Sequence, residues 1–311
     1  MDKPDGFGKM NGLELSKLYF QDVIRPMLLE QFPNDFERIA AGLVGEGSEC
    51  FGYDDEISRD HDWGAKVCLW LDSAEYQENG EILQRKLMHL PNTYQGYPVC
   101  WIPNRNGVLE ISGFFRKYLD TDGPLQTVGQ WLHVPEHHLA VASNGEIFHD
   151  PVGKFSTIWN DLRLGYPEDI RLKKISAYCM LAAQSGQYNY PRLMRRNDTI
   201  AMSLALNEFI RAVISIVYLL NNKYVPFYKW MFYGMKRLSL LGTEMSMKLE
   251  RLACAPKKEA LIEDICELLI TEFVRQKITD CSDRYMAAQG ESIHAHIQNV
   301  GLRQTNPWVA S

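Results

Sequence analysis

Strand-forming runs in this chain stop near residue 170. Before that point apolar periods of two and of 3.6 residues alternate; beyond it the sustained apolar patterns have the helical period. Such a chain is predicted to be α+β, with a mixed β-sheet in its first half and an all-helical second half. Residues 13–31 carry apolar side chains at helical spacing, and a shorter helix opens at Asp35 ahead of Ala40. Residues 66–71, 97–102 and 108–111 read as strands, with a polar helix over 73–88 between the first two. Asn144-Gly145 is a hairpin-type turn signal, expected between strands at 139–142 and 146–148. Residues 172–184, 199–221, 228–241, 258–276 and 282–298 read as helices. Asp, Gly and Pro cluster from Pro151 to Pro167, which puts the expected domains at 1–160 and 161–311.

Charge narrows the partners. Thirty-three Lys and Arg against 39 Asp and Glu leave a formal charge of −6. That balance argues against nucleic acid as the main partner, because phosphate neutralisation supplies most of such affinity. A single anionic ligand held by a local basic patch stays compatible with it. The apolar run 212–220 is much shorter than the roughly 20 residues a bilayer requires, so it is expected inside a protein core and no membrane partner is expected. Seven cysteines, an odd number without a CxxC pair and without a secretory leader, suggest reduced thiols in a cytoplasmic protein.

One stretch carries chemistry. Gly47-Ser48 is followed by Asp60-His61-Asp62, and Glu110 lies further on among Val108, Leu109 and Ile111. If Asp60 and Asp62 begin a strand, both carboxylates project from one face while His61 turns away. An acid inside an apolar strand is costly unless something pairs with it. Should the Glu110 strand neighbour the aspartates, three carboxylates share a site. Two such charges about 4 Å apart repel by roughly 4 kcal/mol at an effective dielectric near 20. A divalent cation resolves the conflict, and oxygen ligands favour magnesium. Gly47 lets the backbone approach a ligand, and the Ser48 hydroxyl with nearby amides suits phosphate oxygens.

This pattern resembles the nucleotidyltransferase superfamily that includes DNA polymerase β and the aminoglycoside nucleotidyltransferases. Gly47-Ser48, Asp60-x-Asp62 and Glu110 take the places of its Gly-Ser, Asp-x-Asp and third acid. Arg59, rather than Ser, precedes the first acid, and His61 rather than an apolar residue separates the pair. More closely, residues 47–62, together with 184–190, Arg192 and 222–230, resemble the bacterial family called domain of unknown function 4037.

The resemblance implies a nucleotidyltransferase fold closed by a helical domain. It implies an Mg2+-dependent, two-ion enzyme that moves a nucleoside monophosphate, AMP from ATP, to a hydroxyl of a small-molecule acceptor and releases pyrophosphate. Asp60, Asp62 and Glu110 would be the metal-binding catalytic acids, with Glu110 alternatively a general base. Gly47, Ser48, Lys229, Arg192 and Tyr190 would contact the nucleotide or acceptor. Asp54, Asp55 and Glu56 are expected as loop and capping residues, or as a rim for a cationic acceptor. The alternatives are AMPylation of a protein and a non-catalytic nucleotide-sensing or partner-binding protein. His133, Glu136, His137 and His138 lack a second ligand cluster and read as a polar segment rather than a zinc site.

Overall fold

The computed structural model describes residues 10–59 and 61–310. Two compact units are present: residues up to Leu125 together with His138–Leu164, and Gln126–His137 together with the chain from Gly165 onward. The first holds the sheet. The second is helical.

The sheet has four strands, β1 (Ala40–Leu43), β2 (Cys68–Leu71), β5 (Gly107–Glu110) and β6 (Glu146–His149), in the order β5-β2-β1-β6. A separate two-stranded ladder pairs β3 (Thr93–Tyr94) with β4 (Tyr97–Pro98). β1 runs antiparallel to both neighbours, whereas β2 and β5 are parallel. A parallel pair needs a long crossover, and the Ser73–Met88 helix supplies it. Asp72 caps that helix by accepting from the Glu75 N–H at 3.0 Å.

All four residues of β2 are buried, because both sheet faces are covered. On one face, Leu69 and Leu71 pack in a cluster with Leu83 and Leu87 of the crossover helix and with Leu15, Tyr19 and Leu28. On the other, Trp70 stacks on Phe155 at 3.9 Å and meets the edge of Phe114 at 5.7 Å. β1 is the strand the sequence conceals: Ala-Ala-Gly-Leu is a weak strand former, yet it is central. Gly42 belongs there because a Cβ would come within 2.5 Å of the Glu146 carbonyl oxygen.

Several sequence expectations change. Residues 139–142 are not a strand: they end the helix Glu136–Ala142, so Asn144-Gly145 joins a helix to β6 and is no hairpin. Only Tyr97–Pro98 of the run 97–102 forms a strand. The helices Val128–His133, Lys154–Arg163 and Gly242–Cys254 carry no expectation from the sequence.

In the helical unit, the helix Glu168–Ala182 is buried over most of its length, Arg171, Lys173 and Lys174 included, while Glu168 at its start is exposed. Arg171 is held by Glu168 at 2.7 Å and by Gln276 at 3.1 Å, and Lys173 donates to the Asn306 carbonyl at 2.5 Å. Lys174 lies 3.3 Å from Glu136, and Ser176 donates to the Gly290 carbonyl at 2.8 Å. Buried polar groups cost free energy unless paired, and each of these has a partner. The Thr199–Leu220 helix is long and apolar enough to cross a membrane by length and composition alone. Its run Ala212–Leu220 is buried, as a core helix requires. The seven cysteines are free thiols.

Replacing Trp70 with Ala removes the centre of one sheet face and should cost about 3–5 kcal/mol in denaturant unfolding. Ile200→Ser, at a position 72% exposed, should stay within about 0.5 kcal/mol of the parent.

Candidate functional site

The chain leaves β1 through a glycine loop, Val44–Ser48. Gly45 and Gly47 have φ of +136° and +129°, a region that side chains disfavour. At Gly47 a Cβ would also strike the Glu49 carboxylate, 2.5 Å away. Asn144 holds the loop from both sides: its Oδ1 accepts from the Gly45 N–H at 2.9 Å and its Nδ2 donates to the Gly45 carbonyl at 2.8 Å. The Gly145 N–H donates to the Cys50 carbonyl at 2.8 Å. The Asn-Gly pair that reads as a hairpin in sequence is therefore a clamp on this loop. Ser48 opens a single 3-10 turn, Glu49–Phe51, and its carbonyl accepts from Phe51 and Tyr53 N–H.

Below the loop, Glu49 and Lys66 form an ion pair at 2.5 Å with side chains 4% and 5% exposed. Beside it, burial together with the Glu49 charge pushes the Cys50 thiol well above its usual range, which leaves it inert.

Charged groups gather at the loop. Glu46 accepts from Lys117 at 2.8 Å and the Tyr118 hydroxyl at 3.1 Å, and lies 3.1 Å from the Arg105 guanidinium in an ion pair. Arg105 also reaches Asp62 at 3.4 Å, bridging the two acids. Partial burial raises the Glu46 carboxyl, but bonds from Lys117 and Tyr118 and the charge of Arg105 outweigh it and hold the group below the usual carboxylate range. No sequence pattern marks Arg105 or Lys117, whose meeting with Glu46 and Asn144 depends on strand order; the local signals are Gly-x-Gly around Glu46 and the Asn144-Gly145 turn pair, which reads as a hairpin.

Asp60 lies outside the described residues. Asp62 is not on a strand: it sits six residues before β2 in a left-handed conformation, φ +55°, which Asp tolerates better than most residues. The period-two argument for a shared face therefore does not apply to it. The loop around it is tied down by Asp54, which accepts from the Gly12 N–H at 2.8 Å and the Trp63 indole at 3.0 Å. Arg59 lies 4.2 Å over the Trp63 ring. Asp55 and Ser58 close a turn through bonds of 2.6 and 2.8 Å. An open hollow of about 460 Å³ here is lined by Asn11, Asp54, Asp55, Glu56, Ile57 and Arg59.

Glu110 does not join Asp62. It pairs with Leu71 at the far end of β2, whereas Asp62 precedes that strand and meets Arg105, which precedes β5. The length of β5, about 10 Å, thus separates the two ends. At its own end Glu110 accepts from the Ser73 hydroxyl, and bonds from Ser73 and Ser112 lower its carboxyl pKa. Among the described residues no group of three His, Cys, Asp or Glu is arranged to hold a metal ion.

The other sequence candidates belong to the helical unit. Tyr190 is buried, and burial raises its phenol. Arg192 lies over the Tyr188 ring at 3.6 Å. Lys229 is exposed on the helix Tyr228–Met235, 5.3 Å over Trp230. His137 packs beside Phe227 and His138 beside Tyr118, so these neighbours in sequence serve different surroundings.

Comparison with known proteins adds one result. Residues 131–231 match the family described as domain of unknown function (DUF4037). The similarity covers about a third of the chain and includes Tyr190, Arg192 and Lys229, while the glycine loop, Asp62 and Glu110 lie outside it. No curated protein and no solved structure matches the chain.

Lys66→Met strands Glu49 without its partner and should cost about 3–5 kcal/mol, with most of the loss recovered in Glu49→Leu/Lys66→Met, both read by urea unfolding. Glu46 contributes stability that is present above the ordinary carboxylate pKa and lost as pH falls through its lowered one. Glu46→Gln should therefore flatten the acid limb of a stability–pH curve.

Proposed function

We propose that this protein is a nucleotidyltransferase that moves AMP from ATP to a hydroxyl of a small molecule. The observation that carries the reading is the meeting of the clamped glycine loop with Arg105, Lys117 and Asp62 at one end of the sheet. In the reaction the acceptor oxygen bonds to the α-phosphorus while the bond from that phosphorus to the pyrophosphate bridging oxygen breaks. The acceptor proton goes to a base or to solvent.

Each group has a part. Loop amides from Glu46 to Ser48 would face phosphate oxygens, and the Ser48 hydroxyl would add a donor. Lys117 and Arg105, now engaged with Glu46 and Asp62, would turn to the triphosphate. The same exchange would release both carboxylates. A magnesium ion, when bound, would neutralise charge on the phosphates, and Asp60 with Asp62 would hold it. Glu46, which shares Arg105 with Asp62, would be the nearby third acid in place of Glu110, which lies at the other end of β5. Lys229, Arg192 and Tyr190 are kept as contacts for nucleotide or acceptor, with DUF4037 similarity over their segment as the support.

A second reading is favoured by the charge balance at the loop, where two cations already match two acids. Such a site can hold a nucleotide without turning it over.

Labelled ATP with magnesium and candidate acceptors should release pyrophosphate, and Asp62→Asn should reduce release to background. Lys117→Met should weaken ATP binding roughly tenfold to a hundredfold, the loss of one charge-assisted hydrogen bond. ATP binding that is indifferent to Asp62→Asn and never yields pyrophosphate would replace the enzyme with a nucleotide-binding module. Label on a protein would make the acceptor a side chain.

A further inference from the structure

Residues 209–243 contain no Asp or Glu, in a chain that has 39 of them, yet they include Arg211, Lys223, Lys229, Lys236 and Arg237. Within this acid-free stretch the helix Tyr228–Met235 buries Met231, Gly234 and Met235. Its outward stripe, at the spacing of one helix face, is Tyr228, Lys229, Phe232 and Tyr233, continued by Lys236 and Arg237 just past the helix end. Aromatic rings and cations alternate along it. Tyr228 is 72% exposed and Phe227, next to it, 48%, with their rings 4.6 Å apart. Lys236 lies 4.4 Å over Phe232, and Arg237 lies 3.8 Å over Tyr233. From the helix Gly242–Cys254, Glu250 pairs with Lys236 at 2.6 Å.

Two adjacent large rings left in water, Phe227 and Tyr228, beside the half-buried Phe232 and Tyr233 under their cations, mark a surface that meets something. Its chemistry selects the partner. Rings exposed for stacking, with cations between them, suit bases and the phosphates that join them. A lipid-binding helix segregates its Trp, Phe and Leu from its cations on opposite faces, whereas this one stripe carries both rings and cations and no aliphatic side chain. We propose that the Tyr228–Arg237 face binds single-stranded nucleic acid, with bases stacked on Tyr228 and its neighbouring rings and phosphates on Lys229 and Arg237. The net charge of −6 is a whole-chain figure; the stretch itself has five cations and no acid, with Glu250 of the neighbouring helix offsetting Lys236. The site uses neither the glycine loop nor Asp62 and shares only Lys229 with the proposed nucleotidyl transfer, so a Tyr228 substitution separates the two.

The test is fluorescence anisotropy of a short labelled single-stranded RNA of mixed sequence with the full chain, without nucleotide or metal. Saturable binding at low salt is expected, weakening with salt at a logarithmic slope of about −1.4 for two phosphate contacts. Tyr228→Ala should weaken it at least about fivefold, the loss of one stacked base. Lys229→Glu should weaken it and make the slope shallower. Thermal unfolding of both variants should match the parent, since both residues are exposed. Absence of binding at low salt, or binding that ignores both substitutions, would overturn the proposal. So would equal affinity for double-stranded RNA, which would mean charge without stacking. Attachment to anionic vesicles that RNA fails to displace would make the face a membrane one.

Discussion

Everything at the glycine loop rests on a glutamate and a lysine that have left water together. Removing two charges from solvent costs several kcal/mol for each ion, and only close pairing offsets it. Glu49 and Lys66 achieve that, and in doing so they join the turn after β1 to the segment leading into β2. The carboxylate also occupies the space a side chain at residue 47 would need, which is why Gly47 stands there. One pair thus sets the loop's path and the residue type that can follow it. The clamp by Asn144 adds a neutral restraint from the turn leading into β6, the strand on the other side of β1.

The fold was largely legible. The loss of strand patterns after the first half, the polar crossover helix and the long apolar helix at Thr199–Leu220 could be read from periodicity. What escaped has physical reasons. β1 is made of small residues because its neighbours crowd it: Gly42 faces the Glu146 carbonyl and the Trp70 ring, so the central strand lacks the bulky side chains that announce one. The run Leu139–Ala142 has the apolar density of a strand but only four residues, too few for its period to separate it from the end of a helix.

The site was legible in part. Gly47 uses the backbone freedom its type suggested, at φ +129°, and Ser48 opens the turn that follows. Asp62 is near them through Arg105, an indirect tie that no spacing rule encodes. Glu110 misled because an acid at the end of an apolar run looks like a metal ligand, whereas here it starts the Ile111–Leu119 helix and takes hydrogen bonds from two serines. Proximity in a parallel pair depends on which end of the strand a residue occupies. The sequence displays the strands but not their registration.

The short segment Gln126–His137 clusters with the helical unit although the chain on both sides of it clusters with the sheet. Its Trp131 ring lies against Tyr166, and its Glu136 against Lys174. A fragment ended at Leu164 would keep this segment but lose both of those partners, laying bare an indole and an acid that the intact chain shelters. Dissection into independently expressed halves therefore calls for replacing the excursion with a polar tether, rather than for a single scission.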